Sequence, residues 1–468
     1  MLNRLHVTNF KSWEDLDLKL ASITGLFGTN SSGKSSVLQF LLMLKQTKDT
    51  TDRRLTLDFG GSNSLANLGN FKDVIYGHVE SLCLSWTLQW TLPEALNIPD
   101  PSGKPTSGLF SGKHLEMKAS VGLKQTSPTS SDLRYRFSNT WFSLEPKKSG
   151  SPEFQLVAKA EEEASAAQKE FKFERNRGRP WKMPGPIKCY AFPDQAKTYF
   201  KNTDFLSEFE LGFENLMDRI YYLGPLREYP RREYTWSGAR PTDVGQRGEK
   251  VVEAILAARF GEEKRHLGPR KQYMPFEAIL GHWLKELKLI HEFKVKEIAP
   301  GSNLYQILVK RDPQSPEVLI TDVGFGVSQM LPVLVLLYYV PENSIVLLEQ
   351  PEIHLHPSVQ SGLADVIINV AKHRNVQVIV ESHSEHLLRR LQRRVAEDQL
   401  QSDKAALFFC RENRGKSNLM PLGLNPFGEI ENWPDNFFGD NFQEIFAAQE
   451  AALERKTKMD KRKTGTKR

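Results

Sequence analysis

The segment Gly28-Thr29-Asn30-Ser31-Ser32-Gly33-Lys34-Ser35 constrains this chain more than any other stretch of it. It follows the spacing G-x-x-x-x-G-K-[ST], in which successive backbone N–H groups wrap around phosphate oxygens. Its flanks are those the chemistry requires. Ile23–Phe27 is a short apolar run that predicts a strand, and Ser36–Lys45 is an apolar run that predicts a helix. The loop between them then lies at a helix N-terminus, where backbone dipoles favour an anion. Gly28 and Gly33 permit the tight turn. Lys34 supplies a cation for terminal phosphates, and the Ser35 hydroxyl supplies a ligand for Mg²⁺. Asn30, Ser31, Ser32 and Ser36 complete the expected cradle, so the segment predicts a nucleotide site.

With 468 residues the chain can bury a large core, and it is expected to hold more than one domain or a large insertion. No apolar run approaches the ~20 residues that span a bilayer, so no membrane partner is expected. Met1–Leu5 lacks the apolar stretch of a secretion signal. Cys83, Cys189 and Cys410 are isolated and odd in number, which suggests neither a zinc pattern nor a disulfide framework. A cytoplasmic location is the expectation. The net charge of +6 is uneven, because residues 455–463 are strongly basic without apolar periodicity. That tail reads as a solvated segment, or as an arm for phosphates or an acidic partner.

Leu2–Val7 and Leu16–Leu20 alternate as strands around Asn9-Phe10-Lys11-Ser12-Trp13. Leu68–Gly77 is expected near the nucleotide, and Ser81–Thr91 as a further strand. From Pro93 to about Gly185 the chain turns Pro-, Ser-, Gly- and Lys-rich, reading as an elaborated insertion. Within it Glu161–Glu170 is a short charged helix candidate. Residues 197–222 read as helical, as do Lys250–Phe260 and Met274–Leu289. Between these lie Arg227 and the basic, aromatic run Arg231–Trp236. That stretch reads equally as a base- or phosphate-gripping surface and as an ion-paired loop over the site.

The second half carries a further series of blocks. Val318–Gln329 ends with Ser328 just past two glycines, ahead of a helix expected from about Met330 to Tyr339. Ser344–Glu349 is an apolar strand ending in a carboxylate, as a buried parallel strand beside the phosphate loop would. Gln350-Pro351-Glu352-Ile353-His354-Leu355-His356-Pro357 follows. A last apolar strand, Val376–Val380, leads into Glu381-Ser382-His383-Ser384.

In this order the blocks resemble the ABC-type ATPases of the SMC/RecF group, particularly the branch related to the overcoming-lysogenization-defect (OLD) proteins of bacterial anti-phage systems. The resemblance covers roughly 1–80 and 220–400. It implies a head domain that dimerises with ATP held between two protomers. By this resemblance Glu349 is the Walker B acid and joins Ser35 in holding Mg²⁺. Ser328 lies in the signature segment and reaches the nucleotide of the opposite protomer. His354–Pro357 stands at the D-loop, and His383 is the switch histidine.

Two departures change the expectation. Where the family has a catalytic Glu this chain has Gln350, and an amide orients a water but cannot take its proton. Hydrolysis is then slow, or Glu352 takes the role. The OLD proteins also carry a Toprim-type nuclease with clustered carboxylates. Here Asp435, Asp440 and Glu444 are too sparse for one, so no built-in nuclease is expected. Glu352 with His354 and His356 could also be read as metal ligands, but a turn shaped by His and Pro accounts for the pattern.

The expected fold is α/β, an ABC-type P-loop head with a mixed sheet and an inserted α+β region. The expected division is 1–93 as the N-terminal lobe, 94–196 as the insertion and 197–300 as a helical, basic-aromatic lobe. The C-terminal lobe spans 301–400, an extension 401–454 and the basic tail 455–468. The expected cofactors are ATP and Mg²⁺. The expected function is slow ATP hydrolysis by a sensor or scaffold in anti-phage defence. The expected partners are a second copy of the chain, or a higher homo-oligomer, and a separately encoded effector. The alternative is a RecF-like DNA-repair ATPase, with DNA as partner.

Overall fold

The computed structural model describes residues 1–99, 108–148, 151–161, 171–176, 178, 182–434, 449–453 and 455. The chain begins with β1 (Leu2–Phe10), β2 (Trp13–Lys19), β3 (Ile23–Gly28) and α1 (Lys34–Asp49). A short turn α2 (Phe71–Val74) precedes β4 (Leu84–Pro99), β5 (Gly108–Lys124), β6 (Ser127–Phe137), β7 (Thr140–Pro146) and β8 (Phe154–Ala160). Next come α3 (Asp194–Tyr199), α4 (Leu206–Asp218), β9 (Ile220–Leu223), β10 (Tyr234–Thr235) and α5 (Val251–Phe260). The chain continues through β11 (Lys264–Arg265), β12 (Met274–Pro275), α6 (Phe276–Glu286), β13 (Glu292–Glu297), β14 (Leu304–Lys310) and β15 (Val318–Leu319). The last elements are α7 (Phe325–Tyr339), β16 (Ile345–Glu349), α8 (Pro357–Arg374), β17 (Gln377–Glu381), α9 (Glu385–Ala396), β18 (Ala405–Asn413) and β19 (Lys416–Leu422).

The central sheet runs β19-β18-β3-β17-β16-β9, parallel except for the β18–β19 hairpin. Its strands are near-continuous apolar runs because both faces are covered. Ile23, Phe27, Val346 and Leu348 turn to the core built with α5–α9. Leu26, Ile345, Leu347 and Ile379 turn to the other core, which holds α1 and α4. The antiparallel sheet β2-β1-β4-β5-β6-β7-β8 covers the far side of α1. The fold is therefore α/β with mixed sheets, as expected. Among the described residues no helix is long and apolar enough to cross a membrane, and the three cysteines are free.

Several local expectations are corrected. Residues 197–222 do not form one helix: α3 and α4 are separate, and Ile220–Leu223 is an edge strand paired with β16 from Ile345↔Ile220. Aromatic and β-branched side chains there find a parallel neighbour, which overrides the helical pattern. The strand expected at 81–91 spans Leu84–Pro99 and pairs with β1, so the Pro-, Ser- and Gly-rich region continues the N-terminal sheet. Helix α7 starts at Phe325, five residues earlier than expected, with Gly324 as its N-cap. Every residue from Val327 to Tyr339 is buried, as in a helix apolar all round. All of the helix candidate Glu161–Glu170 beyond Glu161, the carboxylates Asp435, Asp440 and Glu444, and nearly all of the basic tail lie outside the described residues.

Candidate functional site

The strand register brings the site together. Glu349 pairs with Glu381 and Glu381 with Leu26, so the C-terminal ends of β16, β17 and β3 lie side by side at one sheet edge. The glycine loop leaves β3 at that edge. Gly28 (φ 142) and Gly33 (φ 88) adopt backbone conformations that favour glycine, and Ser31 (φ 60) sits in the left-handed region. A Cβ on Gly28 would lie 2.1 Å from the Cys410 carbonyl oxygen of β18. A Cβ on Gly33 would lie 2.5 Å from Ser417 Oγ and 2.8 Å from Trp13 Nε1.

The loop is braced from outside by residues that the sequence reading missed. Trp13 Nε1 donates to the Gly33 carbonyl (3.0 Å). Ser417 donates its N–H to the Ser12 carbonyl (2.8 Å) and its hydroxyl to Ser12 Oγ (2.7 Å). These contacts tie the β1–β2 turn and the β18–β19 hairpin to the loop from positions far apart in sequence. Gly28→Ala is expected to lower stability by at least about 2 kcal/mol, because the added methyl meets backbone that cannot yield. Thermal unfolding should show a melting point several degrees below wild type.

Inside the loop Lys34 Nζ donates to the Thr29 carbonyl (2.6 Å), the Gly28 carbonyl (3.2 Å) and Ser32 Oγ (3.4 Å). Burial lowers its pKa, opposed by the nearby Glu381. The Ser35 hydroxyl donates to Glu381 Oε1 (2.9 Å). Glu381 is thus the carboxylate in contact with Ser35, whereas Glu349, one strand further out, accepts from the Tyr222 hydroxyl (2.6 Å). Burial pushes the Glu381 carboxyl up to about 7, with repulsion from Glu349 adding to the effect. Its Oε2 is buried without a hydrogen bond. A hydroxyl beside an unsatisfied carboxylate oxygen is a donor set suited to Mg²⁺, which takes hard oxygen ligands. Glu381 was missed, yet its position at the end of an apolar strand repeats that of Glu349.

The cleft at the loop has a volume of ≈ 380 Å³, lined by Ser12, Asn30–Ser36, Gln39, Gln350, Glu381 and His383. Gln350 sits in it with φ 44, and its N–H donates to the Glu381 carbonyl (2.9 Å). His383 stands across the loop; burial and the Lys34 cation lower its pKa, so the ring is neutral at pH 7. Glu352 does not line the cleft. It is 7 % exposed, and its Oε1 accepts from the His383 N–H (2.6 Å). The His354/His356 turn holds no metal cluster: Glu352 points inward and His356 Nδ1 accepts from Ser358 N–H (3.3 Å) to cap α8. Among the described residues no three His, Cys, Asp or Glu side chains are grouped for a metal.

Three other sequence candidates lie elsewhere. Leu68–Gly77 does not line the cleft; it packs at the β1–β2 turn, where Lys11 N–H donates to the Val74 carbonyl (2.7 Å). Ser328 lies outside its own chain's cleft and is buried in the first turn of α7, with its hydroxyl donating to the Phe325 carbonyl (2.8 Å). The basic stretch is ion-paired: Arg231 with Glu228, Arg232 with Asp322 and Arg240 with Glu263.

A glycine loop on a buried parallel strand, a lysine within it, and a serine facing acidic strand ends define a phosphate-loop nucleotide-binding protein. The family described as "AAA ATPase domain" matches residues 1–206 and 266–388, and the chain belongs to that family. It is accordingly an ATP-binding ATPase. A second family, described as "Protein of unknown function (DUF3696)", matches residues 400–447. No curated protein matches the chain. Among solved structures, the chain is similar to an SMC head bound to the C-winged helix domain of ScpA (10% identity, TM-score 0.44, covering 90% of this chain and 98% of that one). It is also similar to the SMC head domain from Thermotoga maritima (10% identity, TM-score 0.39, covering 90% and 99%). A Pyrococcus furiosus Smc head with an extended coiled coil, bound to the C-terminal domain of ScpA, gives 10% identity and a TM-score of 0.45, covering 91% and 96%.

Proposed function

We propose that this chain is a slowly hydrolysing ABC-type ATPase whose ATP-closed pair of protomers is its output. On this reading it is the sensor and scaffold for a separately encoded effector in anti-phage defence. The observation that carries the slow cycle is Gln350, which lines the phosphate cleft with an amide in place of a carboxylate. The blocks shared with the OLD branch support the defence setting. Lys34 and the loop amides would bind the phosphates, and Ser35 with Glu381 and Glu349 would hold Mg²⁺. When bound, the metal would neutralise developing phosphate charge. Gln350 orients the attacking water, and neutral His383 faces the phosphate end of the cleft. The pairing of Arg231, Arg232 and Arg240 with carboxylates weakens the case for a DNA surface on that stretch.

The two-protomer arrangement rests on the start of α7. Ser328 is absent from its own cleft, while Gly324 and Phe325 are exposed at the helix N-terminus, where backbone N–H groups suit a partner's phosphate. A Cβ on Gly324 meets nothing within 4 Å, and its φ of −60 suits any residue. Gly324→Arg should therefore fold normally and bind ATP as wild type does, yet fail to form an ATP-dependent dimer. Nucleotide titration together with sedimentation tests this. An ATP-dependent dimer of undiminished strength in the variant defeats the placement.

A further inference from the structure

Arg227 is 7 % exposed, and both its Nε and Nη1 are buried without a hydrogen bond. A guanidinium has five N–H donors and no acceptor, so such burial leaves a cation short of partners. Burial lowers its pKa to about 10, which keeps it charged at neutral pH. The groups within its electrostatic reach are Tyr222, Glu349 and Glu352. Glu349 is already held by the Tyr222 hydroxyl. Glu352 has one oxygen on the His383 N–H and the Ser382 side chain beside its carboxylate, while its Oε2 is buried without a hydrogen bond. A buried cation short of partners and a buried carboxylate oxygen without a hydrogen bond therefore lie within electrostatic reach of each other without forming an ion pair.

The segment that carries Arg227 also reaches the surface. Gly224 N–H donates to the Gln246 carbonyl (2.8 Å) and Glu228 N–H to the Arg247 carbonyl (2.8 Å), which fixes the segment on either side of Arg227. Leu226 and Tyr229 point outward and are 68 % and 71 % exposed. The Tyr229 ring meets Phe325, the first residue of α7, edge-on at 5.8 Å. One short segment thus has a cation within electrostatic reach of Glu349 and Glu352 and apolar side chains on the face that carries the start of α7.

We propose that Arg227 is a positioning residue for hydrolysis, whose guanidinium moves onto Glu352 Oε2 when the face formed by Leu226, Tyr229 and Phe325 is covered by a second copy of this chain. The pair fixes Glu352, Glu352 fixes the His383 backbone, and the cleft end beside Gln350 is ordered for attack. Closure is in this way coupled to turnover. The inference rests on the proposed hydrolytic reading of the cleft and on the proposed two-protomer arrangement.

The test uses the full chain with Mg²⁺ and ATP. Arg227→Met should lower kcat by roughly 10- to 100-fold, as removal of an outer partner of a metal site does. KM should stay within about threefold and the ATP-dependent dimer should persist, because ground-state binding is untouched. Arg227→Lys, which keeps the charge, should recover part of kcat; if the Met variant does not fold, a lowered kcat at unchanged KM in the Lys variant is the reading. Glu352→Gln combined with Arg227→Met should be no slower than the slower single variant. Losses that multiply, or a folded Arg227→Met with wild-type kcat, overturn the inference. Lys34→Ala separates the two levels. Full hydrolysis in that variant sinks the hydrolytic reading itself, whereas an inactive Lys34→Ala beside a normal Arg227→Met sinks only the role of Arg227.

Discussion

Lys34→Ala is expected to weaken ATP binding on the order of 100-fold while leaving the chain folded. The ammonium is the one side-chain cation among the residues that line the phosphate cleft. A charge-assisted contact to phosphate is worth about 1.5–3 kcal/mol, and 1.4 kcal/mol is a factor of ten in affinity. The stability side has the opposite sign. Burial lowers the Lys34 pKa, so the folded chain holds this proton less tightly than the unfolded chain. At neutral pH the buried ammonium opposes folding, and its loss offsets the carbonyls of Gly28 and Thr29 that are left without it. Calorimetric titration should therefore show binding lost at a melting temperature that is unchanged or raised. Wild-type affinity in the folded variant would remove the loop from the phosphate site.

Gln350→Glu is expected to raise turnover, by up to ~10²-fold or more, because general base catalysis typically contributes ~10²–10⁴-fold. The side chain already stands in the cleft, and the backbone that presents it is pinned by the Glu381 carbonyl. The substitution changes charge without changing length. Its closed, ATP-bound state should be shorter-lived than that of wild type. Glu352→Gln distinguishes the other route. Glu352 is buried and committed to His383, so its amide should slow turnover through the His383 segment. Single-turnover hydrolysis by the three proteins measures both effects. A fast wild type that is indifferent to Glu352→Gln contradicts the slow cycle.

What could be read from the sequence was what is local. The strand, loop and helix around Lys34 are contiguous, and their spacing is dictated by how a backbone wraps phosphate. Glu349 was legible because an apolar strand ended on it. Glu381 ends a similar strand, but its contact with Ser35 depends on β17 lying between β3 and β16, a pairing that no local pattern carries. The bracing of the loop joins Trp13 to Gly33 across 20 residues and Ser12 to Ser417 across 405. The early start of α7 was hidden because Gly324 and Gly326 have low helix propensity, although glycine is acceptable at an N-cap. Ser328 was placed by resemblance at the nucleotide of the opposite protomer, and in the single chain it is buried in the first turn of α7.

The central claim is that ATP acts here as an assembly ligand, hydrolysed slowly by a site without a carboxylate base. Light-scattering mass followed over time after adding one equivalent of ATP with Mg²⁺ tests it most directly, with phosphate release recorded in the same sample. The account predicts that mass doubles on ATP addition, stays doubled while ATP is intact, and decays with the release of phosphate. A mass that does not respond to ATP, or that falls back while the ATP remains unhydrolysed, contradicts it.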